Sequence, residues 1–115
     1  MNKSDQPVQE PVIEGSGISL DSLPTLGTLC VQTRNSFYRI FLLDPQTGHA
    51  LIEGGSFAEP VDAFVYGSVV DGSTFKAGWI GVGMRFNFST EYGHISTSPV
   101  QSLYVESHAF EAIGV

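Results

Sequence analysis

From about residue 25 onward, hydrophobic and polar positions form short extended runs with a period close to two, separated by Gly, Pro and Asp. No apolar stripe with a 3.6-residue period is long enough to predict a helix. The predicted strands are 29–34, 37–43, 49–53, 61–70, 78–88 and 94–105. We therefore predict an all-β fold, a small single-domain barrel or sandwich of about six short, mainly antiparallel strands.

Two positions carry specific turn or bulge signals. In Asp44-Pro45-Gln46-Thr47-Gly48, the proline presets φ at the second position and the closing glycine can adopt a positive φ. This segment predicts a type I turn that closes a hairpin. Pro99 interrupts the last predicted strand, and because proline has no N–H donor, it predicts an edge strand or a bulge there.

Residues 1–24 differ from the rest of the chain. They contain no aromatic residue, three prolines and Gly15-Ser16-Gly17, and one lysine against four acidic residues gives this segment a net charge of −3. Such a segment buries too little apolar area to offset the entropy lost on ordering. The sequence therefore predicts a disordered acidic tail over 1–24 and an all-β domain over 25–115.

The charge balance argues against several classes of partner. The 115-residue chain has a net charge of −7 and five Lys and Arg residues, and charged residues make up 15% of it, well below the usual ~25%. Binding to nucleic acid needs a basic footprint on the phosphates, so we expect no nucleic-acid partner. For the same reason we expect no membrane partner. Sparse charge is compatible instead with a β protein that associates with copies of itself.

A cytoplasmic location is the expectation from the sequence. The single cysteine, Cys30, cannot form an intrachain disulfide. The first residues lack the apolar segment of a signal peptide, and no apolar run approaches the ~18 residues that span a bilayer. Because Cys30 lies between Leu29 and Val31, we interpret it as a small buried hydrophobe rather than a reactive thiol.

The run 78–88 is unusual because of its glycines. A period of two places one set of residues on the core face: Ile80, Val82, Met84, Phe86 and Phe88. On the opposite face, Gly81 and Gly83 would form a flat shelf between Trp79 and Arg85. One hypothesis is that a ligand or partner chain lies on this shelf, with Trp79 stacking and Arg85 binding an anion. The alternative is that another segment of the same domain crosses there, or that the glycines permit barrel curvature.

Two further segments are candidate binding elements. Arg34 and Asn35 lie in a polar break between two apolar strands, where they either line a site at the end of the sheet or form a plain turn. The strand 37–43 is apolar on both faces apart from Arg39. It is therefore either a central strand covered on both sides or a strand with one face against a partner subunit.

We assign no catalytic residue, metal ligand or cofactor from the sequence. No G-x-S-x-G nucleophile motif is present, and the glycines near residue 80 do not form the G-x-G-x-x-G of a phosphate-binding loop. His49, His94 and His108 lie far apart in no ligand spacing. We therefore expect neither a metal nor a cofactor.

Several segments resemble one family of proteins. They are Thr33-Arg34-Asn35-Ser36, Asp44-Pro45, Thr47-Gly48, Gly67-Ser68, Lys76, 78–84 and Thr97-Ser98-Pro99-Val100. These segments, within about residues 29–103, look like the signature of a family of small uncharacterised all-β bacterial proteins with no known function. The resemblance implies a bacterial or phage origin and brings with it no activity, cofactor or site residue.

Three classes of function are compatible with these observations. The favoured hypothesis is a non-catalytic binding or protein-interaction domain whose ligand is a protein or a small molecule. The first alternative is a self-assembling structural protein whose role lies in the oligomer. Whatever the function, we expect self-association as a dimer with closed symmetry. The second alternative is a small hydrolase-like enzyme, although the sequence favours a protein that is not an enzyme.

Overall fold

Strands make up most of the structure, as the alternating pattern predicts. The computed structural model describes residues 7–11, 17–70 and 74–108. The strands in these residues are β1 Pro7–Pro11, β2 Gly17–Ser19, β3 Thr28–Thr33, β4 Phe37–Asp44, β5 His49–Gly54, β6 Phe57–Val69, β7 Phe75–Ala77, β8 Trp79–Gly81, β9 Arg85–Thr90 and β10 Gly93–His108. The helical part of the described chain is one 3-10 turn, Leu20–Ser22. None of the described residues belongs to a helix long and apolar enough to cross a membrane.

Strand β9 closes the main sheet into a barrel. The sheet has the order β1-β10-β3-β4-β5-β6-β7, and β9 pairs with both β6 and β10. These pairings are antiparallel. The circuit β10-β3-β4-β5-β6-β9 therefore returns to β10 and forms a six-stranded antiparallel barrel. Strands β1 and β7 extend the sheet, and β2 pairs with β8 separately. The predicted all-β, barrel-like fold is confirmed.

Strands β4 and β5 form the predicted hairpin, and its closing hydrogen bond spans one residue more than that of a type I turn. The Gly48 N–H donates to the Asp44 carbonyl oxygen at 2.9 Å, and Gly48 adopts a φ of +81°. The Asp44 carboxylate also accepts the Gln46 N–H at 2.9 Å. The Gly48 carbonyl accepts the Val65 N–H at 2.9 Å, so this turn is fastened to β6 as well as to its own hairpin.

Strand β10 has an irregular pairing register around Pro99. Its first part pairs with β9 and its second part with β3. The register shifts between Ser96 and Pro99 on the β9 side and between Val100 and Ser102 on the β3 side. Of the two alternatives predicted at Pro99, an edge strand or a bulge, the register shift fits the bulge. The irregularity allows one long strand to pair with two neighbours around the barrel.

Alternate residues of the barrel strands point into a common core. On β4, Tyr38, Ile40 and Leu42 are buried while the residues between them are exposed. Phe86 and Phe88 of β9 are the largest fully buried side chains. The Tyr38 ring meets both edge-on, with centroids 6.2 Å and 5.7 Å apart. The other members of the core are Leu20, Leu23, Leu29, Val31, Ala50, Ile52, Ala63, Val65, Ile80, Val100 and Leu103.

The packed domain begins earlier than the sequence predicted. Residues 17–24 fall in the predicted disordered tail, yet β2 pairs with β8, and Leu20 and Leu23 are only 2% and 5% exposed. Strand β1 pairs with β10. The pattern missed these contacts because two leucines in a polar, proline-containing segment carry no periodicity, and their burial depends on distant residues. The remaining parts of the predicted tail, 1–6 and 12–16, and the end of the predicted domain, 109–115, lie outside the described residues.

Candidate functional site

The predicted glycine shelf is not present, because 78–88 is not one strand. Strand β8 ends at Gly81 and β9 begins at Arg85, with a turn between them. In this turn the Met84 N–H donates to the Gly81 carbonyl at 3.1 Å, and Gly83 has a φ of +88°. The Gly83 N–H also donates to the Val100 carbonyl at 2.7 Å. Because a turn interrupts the extended backbone, the simple alternation of faces is lost between Trp79 and Arg85.

The two glycines of the predicted shelf have different surroundings. Gly81 is buried, and a β-carbon added there would lie 2.5 Å from the Met84 sulfur and 2.9 Å from the Trp79 indole nitrogen. A β-carbon at Gly83 would meet no atom within 4 Å. Gly81 therefore accommodates packing within the domain, whereas Gly83 supplies the positive φ of an exposed turn.

Trp79 lies on β8, next to Gly81. It is half-buried and pairs with Ser19 of β2. Its carbonyl accepts the Ser68 hydroxyl at 2.6 Å, and the Lys76 ammonium lies 4.4 Å from the centre of its ring. These contacts attach the small β2–β8 sheet to β6 and β7.

Arg34, Asn35 and Arg85 are brought together at the β10 bulge. The Arg34 N–H donates to the Pro99 carbonyl at 3.0 Å, and the Asn35 N–H donates to the Ser98 hydroxyl at 3.0 Å. The Arg85 guanidinium donates to the Thr97 carbonyl at 3.1 Å. These three contacts hold the irregular segment of β10 between β3 and β9, which is a structural role.

A more prominent feature is an apolar patch on the outer wall of the barrel. On β4, Phe37 and Phe41 are 42% and 37% exposed, and on β6 Phe64 is 45% exposed. Leu51 of β5 pairs with Phe41. Pro60 of β6 lines the same pocket as these two residues. We call this surface, together with the charged residues between its apolar ones, the aromatic face: Phe37, Arg39, Phe41, Leu51, Glu53, Pro60, Asp62 and Phe64.

A pocket lies near the centre of the aromatic face. It has a volume of about 190 Å³ and is lined by Thr28, Arg39, Phe41, Leu51, Glu53 and Pro60. Phe41, Leu51 and Pro60 provide apolar walls, and the charged groups of Arg39 and Glu53 provide a polar rim. The pocket exists because β4, β5 and β6 lie side by side in the register that aligns Phe41 with Leu51.

The charges at this pocket are partly compensated within the barrel wall. The Arg39 guanidinium lies 2.6 Å from the Glu106 carboxylate of β10 and 3.8 Å from that of Glu53. The hydrogen bond to Glu106 raises the pKa of Arg39. Behind Arg39, burial raises the pKa of the Cys30 thiol, and the negative charge of Glu106 acts in the same direction.

At one end of the aromatic face, two histidines stack on aromatic rings. His49 stacks on Phe64 with a centroid distance of 5.0 Å, and its Nε2 lies 2.8 Å from the Asp62 carboxylate. His94 stacks on Tyr66 with a centroid distance of 6.0 Å. Within the described ranges, no group of three or more His, Cys, Asp and Glu side chains could hold a metal ion.

Sequence reasoning identified one part of this face and missed the rest. The strand 37–43, apolar on both sides, is β4, a central strand whose outer residues Phe37 and Phe41 are exposed. The strand is central as the first alternative predicted, but its outer face is not covered by the described residues. Contact of this face with a partner subunit, the second alternative, stays a prediction. Leu51, Glu53 and Pro60 were missed because their convergence depends on the register of three strands.

Comparison with known proteins gave no match for this chain: no family model, no curated protein and no solved structure matches it. What the site does must therefore be inferred from its geometry and charge.

Proposed function

We propose that this protein is a non-catalytic protein-interaction domain that binds its partner through the aromatic face. The observation that supports the proposal is a pocket lined by Phe41, Leu51 and Pro60 on a wall of the barrel where Phe37 and Phe64 are also exposed. Contiguous exposed apolar patches mark interaction sites, and aromatic residues are enriched at the centres of interfaces. Burying one such side chain fully contributes roughly 1.5–3 kcal/mol, so covering this face would be favourable.

The surroundings of the Cys30 and His49 side chains favour a binding domain over a hydrolytic enzyme. A hydrolytic site needs a nucleophile within hydrogen-bond reach of a base. The thiol of Cys30 is buried and its pKa is raised, which suppresses the thiolate. The described contacts of the His49 ring are with Asp62 and Phe64, and the Thr47 hydroxyl accepts the backbone N–H of His49 rather than contacting the ring.

Peptide selection against two matched variants tests the proposal. Leu51→Asp places a charge in the centre of the aromatic face, and Val70→Asp places the same charge at an exposed position beyond it. A displayed random peptide library is selected on the wild-type protein, and the enriched peptides are measured on both variants. We expect enriched peptides to bind the wild type and Val70→Asp, and to lose binding to Leu51→Asp.

Two results would contradict the proposal. One is the absence of any enriched peptide, and the other is a set of peptides that bind Leu51→Asp as well as the wild type. Circular dichroism and melting temperature establish that both variants are folded. Sedimentation of the wild type tests the self-assembling alternative, because a dimer that Leu51→Asp dissociates would assign the aromatic face to a second copy.

A further inference from the structure

The exposed charge of the aromatic face is negative. Arg39 is the positive residue of this surface, and Glu106, nearly buried, lies within 2.6 Å of it. Glu53 and Asp62 are 41% and 78% exposed. The positive charge of Arg39 and the three negative charges of Glu53, Asp62 and Glu106 give this part of the wall a net charge of −2. A partner approaching the face therefore meets carboxylates beside exposed aromatic rings.

The pocket has the size and lining that suit a long basic side chain. Its volume of about 190 Å³ corresponds to about six water molecules, at roughly 30 Å³ each. The side chains of Lys and Arg have a comparable number of heavy atoms, and their methylene stems pack on apolar surface while the charged head stays near water. Here Phe41, Leu51 and Pro60 would contact the stem, and the Glu53 carboxylate at the rim would face the head. Arg39 also lies at the rim, where Glu106 compensates its charge.

We infer that the partner presents a cationic segment to the aromatic face, with a Lys or Arg side chain inserted between Phe41, Leu51 and Pro60 and its charge directed to Glu53 and Asp62. This inference rests on the function proposed above and adds the chemistry of the partner. Complementary charge across an interface accelerates encounter and excludes partners of the wrong sign. A cation over the ring of Phe41 would gain a further attraction.

A second copy of the chain is a poorer occupant of the same face. Each chain carries a net charge of −7. In a twofold dimer the same surface is used by both copies, so the carboxylates of Glu53 and Asp62 from both chains would be brought into one interface. Like charges placed opposite each other disfavour association. The charge of the face thus favours a partner of opposite sign over self-association.

Three capped hexapeptides that differ at one central position test the inference. The position holds lysine, norleucine or glutamate, so norleucine keeps the stem and removes the charge. Binding is measured from amide chemical shifts at peptide concentrations up to about 5 mM, which detects millimolar dissociation constants. We expect the lysine peptide to bind about three- to tenfold more tightly than the norleucine peptide. The glutamate peptide should bind most weakly, and the shifts should centre on Phe41 and Leu51.

Variants of the carboxylates locate the preference on the protein. Glu53→Gln and Asp62→Asn should each reduce the preference for lysine over norleucine, whereas Glu91→Gln, an exposed carboxylate in the β9–β10 turn, should leave it unchanged. Raising the salt concentration from about 0.05 to 0.5 M should narrow the difference between the two peptides.

The possible outcomes separate this inference from the proposed function. Equal binding of the lysine and norleucine peptides at Phe41 and Leu51 would overturn the cationic inference and leave the aromatic face as a binding surface. A lysine preference that survives both carboxylate variants would overturn it as well. If none of the three peptides shifts the amides of the face, the inference fails, and the peptide selection described above then decides whether the proposed function fails with it.

Discussion

Replacing Leu20 by alanine should destabilise the barrel by about 3 kcal/mol. The Leu20 side chain is 2% exposed and belongs to the same core as Ile80. Removing the equivalent of three methylene groups loses about 2.4 kcal/mol of burial at ~0.8 kcal/mol each. A residual cavity adds to this loss, and buried Leu→Ala changes cost roughly 2–5 kcal/mol. The Leu20 N–H donates to the Gly78 carbonyl at 2.9 Å, and this anchor limits collapse of the backbone into the space.

Urea unfolding followed by the fluorescence of Trp79, the single tryptophan of the chain, measures this loss. The midpoint should fall at an unchanged slope, and the melting temperature should fall by roughly 12–24 °C. Val70→Ala, at a side chain that is 45% exposed, is the control and should change stability by about 0.5 kcal/mol or less. A Leu20→Ala protein as stable as this control would refute the packing of residues 17–24 and support the later domain boundary.

Two further predictions concern the glycine turns and the buried thiol. Gly48→Ala should be far more destabilising than Gly83→Ala. Both positions have a positive φ, which costs an alanine roughly 1–2 kcal/mol. At Gly48 the added β-carbon would also collide with the Val65 carbonyl oxygen, whereas at Gly83 it would meet no atom within 4 Å. Equal losses in thermal melts would contradict this ranking. The Cys30 thiol should resist Ellman's reagent at about pH 8 in the native state and react fully in denaturant. Because its folded pKa is raised, its contribution to stability is complete below about pH 8.5 and should be lost as pH rises toward the folded pKa. The difference in unfolding free energy between the wild type and Cys30→Ala should therefore shrink above that pH, and a constant difference would argue against the raised pKa.

Local patterns predicted those parts of the fold that neighbouring residues determine. Alternation placed Ile80, Val82, Met84, Phe86 and Phe88 in the core. Ile80, Phe86 and Phe88 are fully buried, whereas Val82 and Met84 lie in the turn between β8 and β9 and are only half-buried. The positive φ at Gly48 and the bulge at Pro99 follow from the backbone chemistry of single residues. Such features need no knowledge of the partner strand, which is why the sequence was sufficient for them.

Features that depend on distant contacts were predicted poorly. The turn at Gly83 forms against Val100, 17 positions further along the chain, and a two-residue period cannot indicate it. Leu20 and Leu23 are buried by the rest of the barrel rather than by a local pattern. The aromatic face was visible only through β4, since Leu51 and Pro60 join Phe41 through strand register.

The distribution of charge in the fold explains why this face remains acidic. Beyond residue 17 the chain has four basic residues, and three of their side chains make contacts within the domain. Arg39 pairs with Glu106, Lys76 lies over Trp79, and Arg85 donates to the β10 bulge. These contacts engage most of the positive charge in holding strands together, while carboxylates such as Asp62 face solvent. Since the exposed potential of this face is then set by its acidic residues, the proposed basic partner would be attracted before contact, and the aromatic rings would supply affinity once water is displaced.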